Sequence, residues 1–454
     1  WVAGRPLGGA DALAARFAAA GPDGVGDWPG DWALVARRAG DDRLWVAVDA
    51  FAGVPLFVRA DVATTDPTSL RGPPDREGMR QQLAARFDDP WRTLYDGVWR
   101  VPAGHGGALG HPRDLRRIFV PRGGDPNLRA VLQRAVDERL PEGEVWLALS
   151  GGLDSSALAA CLEGPRLRTT TNAFPGWTAD ERPFAHAVAA RVGAPLVPVD
   201  SRGLDPFEVL DLLAPFPPVL VNHHLNLALM APGRTLFTGF GGDEVVGHGF
   251  DVVRQRMAEG RPVRGLLDAV ALAARYRHAR ASFPHELQRW LREAGGAWLR
   301  PPTAQQLRER RVARLTHPLL ARSREEQILL ARSRGTRLEM PFLDPRVAAA
   351  VIELPASVCC RRGRTRAHLR TAFAGELPRS ILDRTRKADL SQSFHARFHE
   401  GLSKRLPLLG AVVEEGLVTA SWVDRACDTD PVTRPEVAAE LWRAAGIGRF
   451  LVSQ

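Results

Sequence analysis

One stretch of the sequence restricts the possible folds more than any other. Residues 145–149 (VWLAL) form an apolar, β-prone run, residues 150–156 read SGGLDSS, and residues 157–162 (ALAACL) favour a helix. The glycines allow a sharp turn and a close approach of the backbone to a ligand. The free N–H groups and the positive dipole end of the following helix would face that ligand. The pattern therefore predicts a strand, an anion-binding loop and a helix.

The side chains of this loop suit phosphate bound together with Mg²⁺. Asp154 supplies a hard carboxylate oxygen of the kind that Mg²⁺ takes alongside substrate phosphates, and the serines supply hydroxyl donors. The spacing is not the GxxxxGK[ST] of a kinase-type P-loop. It resembles the pyrophosphate-binding loop of the ATP pyrophosphatases, which split ATP between its α and β phosphates. The predicted ATP- and pyrophosphate-binding residues of this loop are Ser150, Gly151, Gly152, Asp154, Ser155 and Ser156.

A second glycine-rich loop follows another strand-like run. Residues 235–237 (TLF) lead into residues 238–244 (TGFGGDE), which end in two carboxylates. Asp154 and Asp243, one from each loop, are predicted to share a Mg²⁺ that bridges the triphosphate. Glu244 is predicted to orient the second loop. The backbone residues predicted to border the nucleotide here are Gly239, Gly241 and Gly242.

Strand-like and helical patterns alternate around the first loop. Residues 167–174 and 196–200 are strand-like, and residues 127–140 and 180–192 are helical. Such alternation predicts a parallel sheet with ligands at the carboxyl ends of its strands. Phe174 would lie at such an end, and we predict that its backbone borders the adenine.

The first 122 residues follow a different pattern. The segment PRGGDP at 121–126 is rich in helix breakers and predicts a linker. We therefore predict two domains, residues 1–122 and residues 123–454. The predicted strands of the first domain lie at 32–37, 44–49, 54–59 and within 94–105.

Residues 250–334 are predicted to be helical, and three short motifs follow them: MPFLD at 340–344, RRGRTR at 361–366 and RTRKAD at 384–389. The arginines between 361 and 370 could pair with an acidic side chain of a peptide substrate, but we predict that they are solvated. Lys387 is informative because the chain has only one other lysine, Lys404. A lysine retained among so many arginines indicates a role that arginine fills poorly. The compact ammonium group can approach a pentavalent or tetrahedral reaction centre closely.

The order of these motifs resembles the synthetase domain of the asparagine synthetase family. The similarity covers about residues 125–400 and includes Asp180 and Glu181 between the two loops. It implies an α/β fold, a parallel-sheet PP-loop domain of the adenine nucleotide α-hydrolase type with extra helices. It also implies ATP and Mg²⁺ as cofactors, activation of a carboxylate as an acyl-adenylate, attack by an amine, and release of AMP and pyrophosphate. By this resemblance, Lys387 would stabilise the transition states and Glu244 would be the second catalytic residue.

The N-terminal pieces faintly resemble the glutaminase domain of asparagine synthetase-type amidotransferases. That resemblance implies a smaller α+β domain of the Ntn-hydrolase type. The family uses an N-terminal cysteine as nucleophile, whereas residue 1 here is Trp, and Val48 stands where the family pattern has Arg. We therefore predict a degenerate domain that packs against the synthetase domain and does not hydrolyse glutamine.

Three reactions of the family remain open: asparagine synthesis, β-lactam closure and the macrolactam closure of lasso peptide cyclases. The missing nucleophile argues against glutamine as nitrogen donor and leaves ammonia or an amine carried by the substrate, of which the second favours the cyclases. In residues 335–344 (GTRLEMPFLD), Arg337 and Glu339 exchange the charges of the G-[IL]-E-x-R-x-P-F-L-D pattern of asparagine synthetases, which argues against an aspartate pocket. We predict a lasso-type cyclase, with asparagine synthetase, using ammonia or glutamine, as the alternative. A tRNA-modifying PP-loop ATPase is the alternative from another class.

Composition narrows the expected partners and compartment. The formal charge of +9 comes almost entirely from arginine, which indicates coding bias, so nucleic acid is not expected. We expect a peptide or small carboxylate substrate, with a leader peptidase or precursor-binding protein as partner of the cyclase. No apolar run is long enough to span a bilayer, and no secretory signal is visible, so we predict no membrane contact and a cytoplasmic location. His223 and His224 are predicted to lie in a loop, and Cys359 and Cys360 to be structural.

Overall fold

The two parts of the chain are built on different sheets. The computed structural model describes residues 1–38, 40–247, 251–276, 300–385, 388 and 390–454. We call residues 1–122 the N-terminal segment and residues 123–454 the C-terminal segment. The strands of the N-terminal segment are β1 Val2–Pro6, β2 Gly30–Arg38, β3 Asp41–Val48, β4 Phe57–Arg59, β5 Val62–Thr64, β6 Trp99–Arg100, β7 His105–Ala108 and β8 Arg116–Arg117.

The main sheet of the N-terminal segment is antiparallel, in the order β1-β2-β3-β7-β8, and a smaller sheet has the order β5-β4-β6. Trp32 and Leu34 of β2 pack against the helix Ala10–Ala20, whereas Ala33 lies in a core on the other face. This alternation follows from the two-residue period of a strand. The strand predicted at 54–59 is shorter than expected and begins at Phe57. The relation of this segment to Ntn hydrolases stays a prediction.

The C-terminal segment contains a five-stranded sheet in the order β11-β10-β9-β12-β13, and every neighbouring pair is parallel. The predicted parallel sheet and the α/β character are therefore confirmed. The carboxyl ends of the central strands β9 and β12 lie side by side, because Thr238 pairs with Ala148. The strands are β9 Val145–Ala148, β10 Leu167–Ala173, β11 Leu196–Asp200, β12 Thr235–Thr238 and β13 Arg337–Glu339, with a hairpin of β14 Cys360–Arg361 and β15 Arg364–Thr365.

Helices cover this sheet and bury a core of aliphatic and aromatic side chains. The helix predicted at 180–192 is confirmed with slightly shorter bounds, Arg182–Arg191, and Pro183 lies in its first turn, where proline is tolerated. The helices of the N-terminal segment are Ala10–Ala20 and Arg76–Ala84. Those of the C-terminal segment are Leu128–Asp137, Leu153–Cys161, Arg182–Arg191, Glu208–Leu212, His223–Leu227, Gly242–Val246, Val252–Ala258, Pro262–Tyr276, Ala304–Leu315, Pro318–Ser333, Pro345–Ile352, Ala356–Cys359, Ala367–Ala372, Arg379–Leu382, Ser391–Ser403, Leu406–Glu414, Ala420–Cys427 and Pro435–Val452.

The two segments share buried contacts. Tyr95 packs edge-on against Phe450 at 5.0 Å between ring centroids. The Nε atom of Arg100 donates to Oε2 of Glu325 at 2.6 Å, and both side chains are buried. Removing one partner of such a pair would leave the other charge buried and uncompensated. These contacts hold the N-terminal segment against the C-terminal one, and the domain boundary at residue 122 stays a prediction.

The prediction that His223 and His224 lie in a loop is wrong. Both are buried and belong to the short helix His223–Leu227. The ring of His223 lies 2.7 Å from Oε2 of Glu326, which is also buried. This partner is distant in sequence, so local pattern could not indicate it. Across the described residues, the structure has no helix with the length and apolar character needed to cross a membrane.

Candidate active site

The first loop turns between β9 and the helix Leu153–Cys161 and is held by its own serines. The hydroxyl oxygens of Ser150 and Ser155 lie 3.1 Å apart, and the N–H of Gly152 donates to Oγ of Ser150 at 3.2 Å. Ser156 is fully buried, and its hydroxyl donates to the carbonyl of Gly152 at 2.7 Å. Ser150 is exposed at the mouth of the loop. In this geometry Ser150 is accessible from solvent, while Ser156 supports the turn from inside.

Gly151 shows why the loop needs glycine. Its φ is +68°, a value that L side chains rarely adopt, and a Cβ atom placed there would lie 2.5 Å from the Cβ of Phe184. Phe184 belongs to the helix Arg182–Arg191, which packs beside the loop. The absence of a side chain at position 151 therefore lets this helix lie directly against the loop backbone.

The second loop packs on the first. A Cβ atom on Gly239 would lie 2.8 Å from the amide nitrogen of Ser155, and one on Gly242 would lie 2.5 Å from Cγ of Asp154. Gly241 sits over Leu343 of the PFLD segment. The glycines predicted to border a nucleotide thus allow the second loop to approach the start of the helix Leu153–Cys161. This contact brings the carboxylates of the two loops together.

Arg366 lies between the two predicted metal-binding carboxylates. Its Nη1 atom is 2.5 Å from Oδ2 of Asp154 and 2.9 Å from Oδ1 of Asp243. Arg366 has φ +55°, a left-handed conformation that costs a non-glycine residue free energy. The prediction that the arginines of 361–370 are solvated is wrong for Arg366 and for Arg370, which is buried and donates to backbone carbonyls.

The arrangement of Asp154 and Asp243 fits a divalent cation. An oxygen of each lies within 2.9 Å of the Arg366 guanidinium, and Mg²⁺ bound with substrate phosphates uses only one or two protein carboxylates. Asp243 is about half exposed at 48%, which leaves room for water and phosphate ligands. No cluster of three or more His, Cys, Asp or Glu side chains with metal-binding geometry occurs in the part of the chain that the structure describes. A metal held by these two carboxylates would take its other ligands from water and substrate phosphates.

A second buried contact ties a distant segment to the first loop. Arg384 donates from Nη1 to the carbonyl of Gly151 at 3.1 Å, pairs with Oε1 of Glu181, and lies 4.0 Å above the ring of Phe184. The N–H of Ala388 donates to the same Glu181 oxygen at 3.0 Å. Lys387, the predicted catalytic lysine, lies outside the described residues. Its neighbours Arg384 and Ala388 are held at the first loop by Glu181.

Asp344 and Glu339 have structural partners. Asp344 is fully buried and accepts hydrogen bonds from Arg139 at 2.8 Å and from Arg346 at 2.9 Å. Burial alone would raise the pKa of Asp344, but the hydrogen bond and charge of Arg346, with the charge of Arg139, hold it below its usual range. Glu339 pairs with Arg337 at 2.6 Å. Arg139 also lies 3.6 Å from Glu339, and burial raises the pKa of Glu339. The residues whose charges are exchanged relative to the asparagine synthetase pattern are therefore paired with each other inside the fold.

Two other predicted residues occupy different environments. Phe174 follows β10 and is buried, with its ring stacked on Trp177 at 5.7 Å between centroids. Glu244 lies half-buried in the short helix Gly242–Val246, next to Asp243. The structure thus brings the two loops, Asp154 and Asp243 together, places Glu244 beside them, and puts Phe174 directly after the neighbouring strand. Roles for these residues stay predictions.

Sequence reasoning missed Arg366 and the link between Glu181 and Arg384. Arg384 belongs to the R-x-x-K-A-[DE] motif and Glu181 was noted, so both were visible as motif members. Nothing in the local sequence indicates that Arg366 should reach Asp154, which is 212 residues away.

Comparison with known proteins identifies relatives of this chain. The family model for asparagine synthase matches residues 127–447. A carboxyethyl-arginine beta-lactam-synthase of Streptomyces clavuligerus is 29% identical over 251 residues, which cover 48% of this chain and 46% of that protein. The chain therefore spans about half the length of this curated relative.

Proposed function

Because this chain belongs to the asparagine synthase family, we propose that it is an ATP-dependent ligase that joins a carboxylate to an amine as an amide. The observation that carries this proposal is the contact between the two glycine-rich loops. It places Asp154 and Asp243 on either side of the Arg366 guanidinium, at the carboxyl end of a parallel sheet. Ligands of open α/β sheets bind at such an edge.

The proposed reaction has two steps. The substrate carboxylate attacks the α-phosphate of ATP, which forms an acyl-adenylate and releases pyrophosphate. An amine then attacks the acyl carbon, and AMP leaves. Mg²⁺ held by Asp154 and Asp243 would neutralise charge on the triphosphate.

The protein residues would bind and position these reactants. The loop at 150–156 would hold the pyrophosphate through its backbone and the hydroxyl groups of Ser150 and Ser155. Glu244 would orient the second loop. Lys387 would stabilise the charge that develops in both transition states, and Glu181 would position the segment that carries it.

We propose further that the amine belongs to the same molecule as the carboxylate, so that the product is a macrolactam of the lasso peptide type. The relative from Streptomyces clavuligerus is named for a β-lactam, which is a cyclic amide. Arg337 and Glu339 also pair with each other, so neither side chain needs a charged group of an aspartate substrate as its partner. A leader peptidase or precursor-binding protein would supply the peptide. The N-terminal segment would be a degenerate Ntn-type domain that supports the synthetase domain.

Mass spectrometry of the purified protein tests this proposal. The protein is incubated with Mg²⁺ and ATP and with either of two substrate sets. One is aspartate plus ammonium, and the other is a linear peptide with a free N-terminal Gly and an internal Asp or Glu, encoded by a neighbouring gene. AMP together with loss of one water from the peptide is the expected result.

Variants link that activity to the site. Asp154→Asn should abolish AMP formation, whereas Asp383→Asn, which alters an exposed ion pair with Arg364, should not. AMP with asparagine and an unchanged peptide would overturn the cyclase proposal and keep the ligase. No AMP with either substrate set would overturn the ligase proposal itself.

A further inference from the structure

A cavity of about 610 Å³ lies between the N-terminal segment and the helices Ala304–Leu315 and Pro318–Ser333. None of the residues that line it belongs to the loops at 150–156 or 238–244. The cavity is therefore separate from the candidate active site. Its volume is in the range of about 300–1,000 Å³ that is typical of small-molecule sites.

The walls of the cavity are mainly apolar. Pro102, Ala103 and Val120 contribute from the N-terminal segment, and Val312 and Ala321 from the two helices. Val120 is exposed at 45%, although it lies in a wall of the cavity. A site of this kind gains free energy when an apolar group of a ligand displaces water from it.

Most charged residues around the cavity are already neutralised by other side chains. Arg100 pairs with Glu325, Arg322 with Glu325 and Glu326, Arg308 with Glu353, and Asp89 with Arg113. These groups need no ligand charge, because each has an oppositely charged partner in the folded protein.

Two charges differ from the rest. Arg117 and Glu309 line the same cavity, on opposite segments, and neither has an ion-pair partner within the described parts of the chain. Glu309 accepts a hydrogen bond from the Gln305 amide at 2.8 Å, but this neutral donor does not compensate its charge. Arg117 lies directly across the β7–β8 ladder from His105, another residue of the cavity wall.

His105 adds a neutral hydrogen-bonding group. Its Nδ1 atom donates to the carbonyl of Ala103 at 2.9 Å, and burial lowers the pKa of His105. The imidazole is therefore neutral at pH 7 and does not compete with Arg117 for an anion. Within the described residues, the cavity thus offers an exposed cation and an exposed anion that lack ion-pair partners, together with apolar walls.

We propose that this cavity binds a small zwitterion with apolar side chains, an apolar amino acid or short peptide, with its carboxylate at Arg117 and its ammonium group at Glu309. The proposal goes beyond the ligase function and does not depend on it. A ligand with a single charge would leave either Arg117 or Glu309 without a partner. A ligand without apolar groups would leave the walls unfilled.

Isothermal titration calorimetry of the full chain tests this proposal with four probes: phenylalanine, the dipeptide Leu-Phe, N-acetyl-Leu-Phe and Leu-Phe amide. We expect saturable binding of phenylalanine and Leu-Phe. Blocking either charge should weaken dipeptide binding about threefold to tenfold, as expected for partly exposed ion pairs. Arg117→Gln should remove the difference between Leu-Phe and Leu-Phe amide. Glu309→Gln should remove the difference between Leu-Phe and N-acetyl-Leu-Phe.

Two further variants serve as controls. Arg116→Gln removes the neighbouring arginine, which pairs with Asp23 outside the cavity, and should leave binding unchanged. Ala321→Trp should fill the cavity and abolish binding, and its melting temperature shows whether it folds. The proposal is overturned if neither zwitterion binds to the wild-type protein, if the blocked dipeptides bind as tightly as Leu-Phe, or if folded Ala321→Trp still binds.

Discussion

The Nη1 atom of Arg366 lies 2.5 Å from Oδ2 of Asp154, so a guanidinium group stands where the two glycine-rich loops would hold a metal ion. The same nitrogen lies 2.9 Å from Asp243. Without a cation between them, the two carboxylates would repel each other. Arg366 therefore compensates the site in this structure, and a bound Mg²⁺ would have to share or replace that role.

We expect Arg366→Ala to make the free protein more dependent on Mg²⁺. The variant loses the charge-assisted hydrogen bond between the mostly buried side chains of Arg366 and Asp154, which should lower the unfolding free energy by about 1–2 kcal/mol. Mg²⁺ at millimolar concentration, without ATP, should then raise the melting temperature of the variant more than that of the wild type. Arg364→Ala is the matched control, since Arg364 lies two residues before Arg366, in β15, and pairs with the exposed Asp383. Equal Mg²⁺ shifts in all three proteins would contradict this prediction.

Glu181 is expected to act as a positioning residue for the segment that contains Lys387. In Glu181→Gln the amide oxygen can still accept from the N–H of Ala388, but the charge that holds Arg384 is lost. We expect kcat for AMP formation to fall about tenfold to a hundredfold, since small displacements of catalytic groups have effects of this size. The KM for ATP should change much less.

The control for Glu181 is Glu163→Gln, which alters an exposed carboxylate after the helix Leu153–Cys161. It should leave both kinetic constants unchanged. If kcat of Glu181→Gln equalled that of the wild type, or fell only in step with the folded fraction, the positioning role would be wrong.

Asp344→Asn should destabilise the protein strongly. Asp344 is fully buried, and its loss as an anion would leave Arg139 buried without full compensation. We expect a loss of about 3–5 kcal/mol in urea denaturation at pH 7. The exposed pair altered by Asp383→Asn should contribute less than about 1 kcal/mol. If Asp344→Asn and Asp383→Asn lost similar amounts of unfolding free energy relative to the wild type, the role of the buried pairing would be contradicted.

The pH dependence of that difference follows from the direction of the pKa shift. The pKa of Asp344 is lower in the folded protein than in the unfolded chain, so the ionised form favours folding. This stabilisation is fully present above the unfolded pKa of about 3.9 and is lost as the pH falls through the folded pKa. The difference in unfolding free energy between the wild type and Asp344→Asn should therefore become smaller below about pH 4. A gap that widens on acidification would reverse the expected sign.

Gly151→Ala and Gly193→Ala separate backbone strain from side-chain clash. The two glycines have φ values of +68° and +66°, but a Cβ atom on Gly193 would meet nothing within 4 Å, whereas one on Gly151 would meet Phe184. Each variant should lose about 1 kcal/mol from the positive φ. Gly151→Ala should lose roughly 1–3 kcal/mol more from overpacking and should bind pyrophosphate more weakly. Equal losses in chemical denaturation would mean that the loop can move away from Phe184.

Much of the candidate site could be predicted because its signals are local. A β-prone run, a glycine-rich turn and a helix-forming run follow each other directly at 145–162, and β9 and the helix Leu153–Cys161 form there. The parallel sheet followed from the alternation of elements. The prediction failed where the local pattern was weak, as for His223. This residue is helical and buried, and it contacts Glu326, which is 103 residues away in the sequence.

The sequence by itself determined the two glycine-rich loops, the family and the parallel sheet, because each depends on residues close together along the chain. Only the tertiary structure decided that Asp154, Asp243 and Arg366 share one site, that Glu181 holds Arg384 and Ala388, and that Arg117 and Glu309 line one cavity. The physical reason is that these groups lie on separate elements. Their proximity results from the packing of helices on the sheet and of one segment on the other, which a local sequence pattern does not contain.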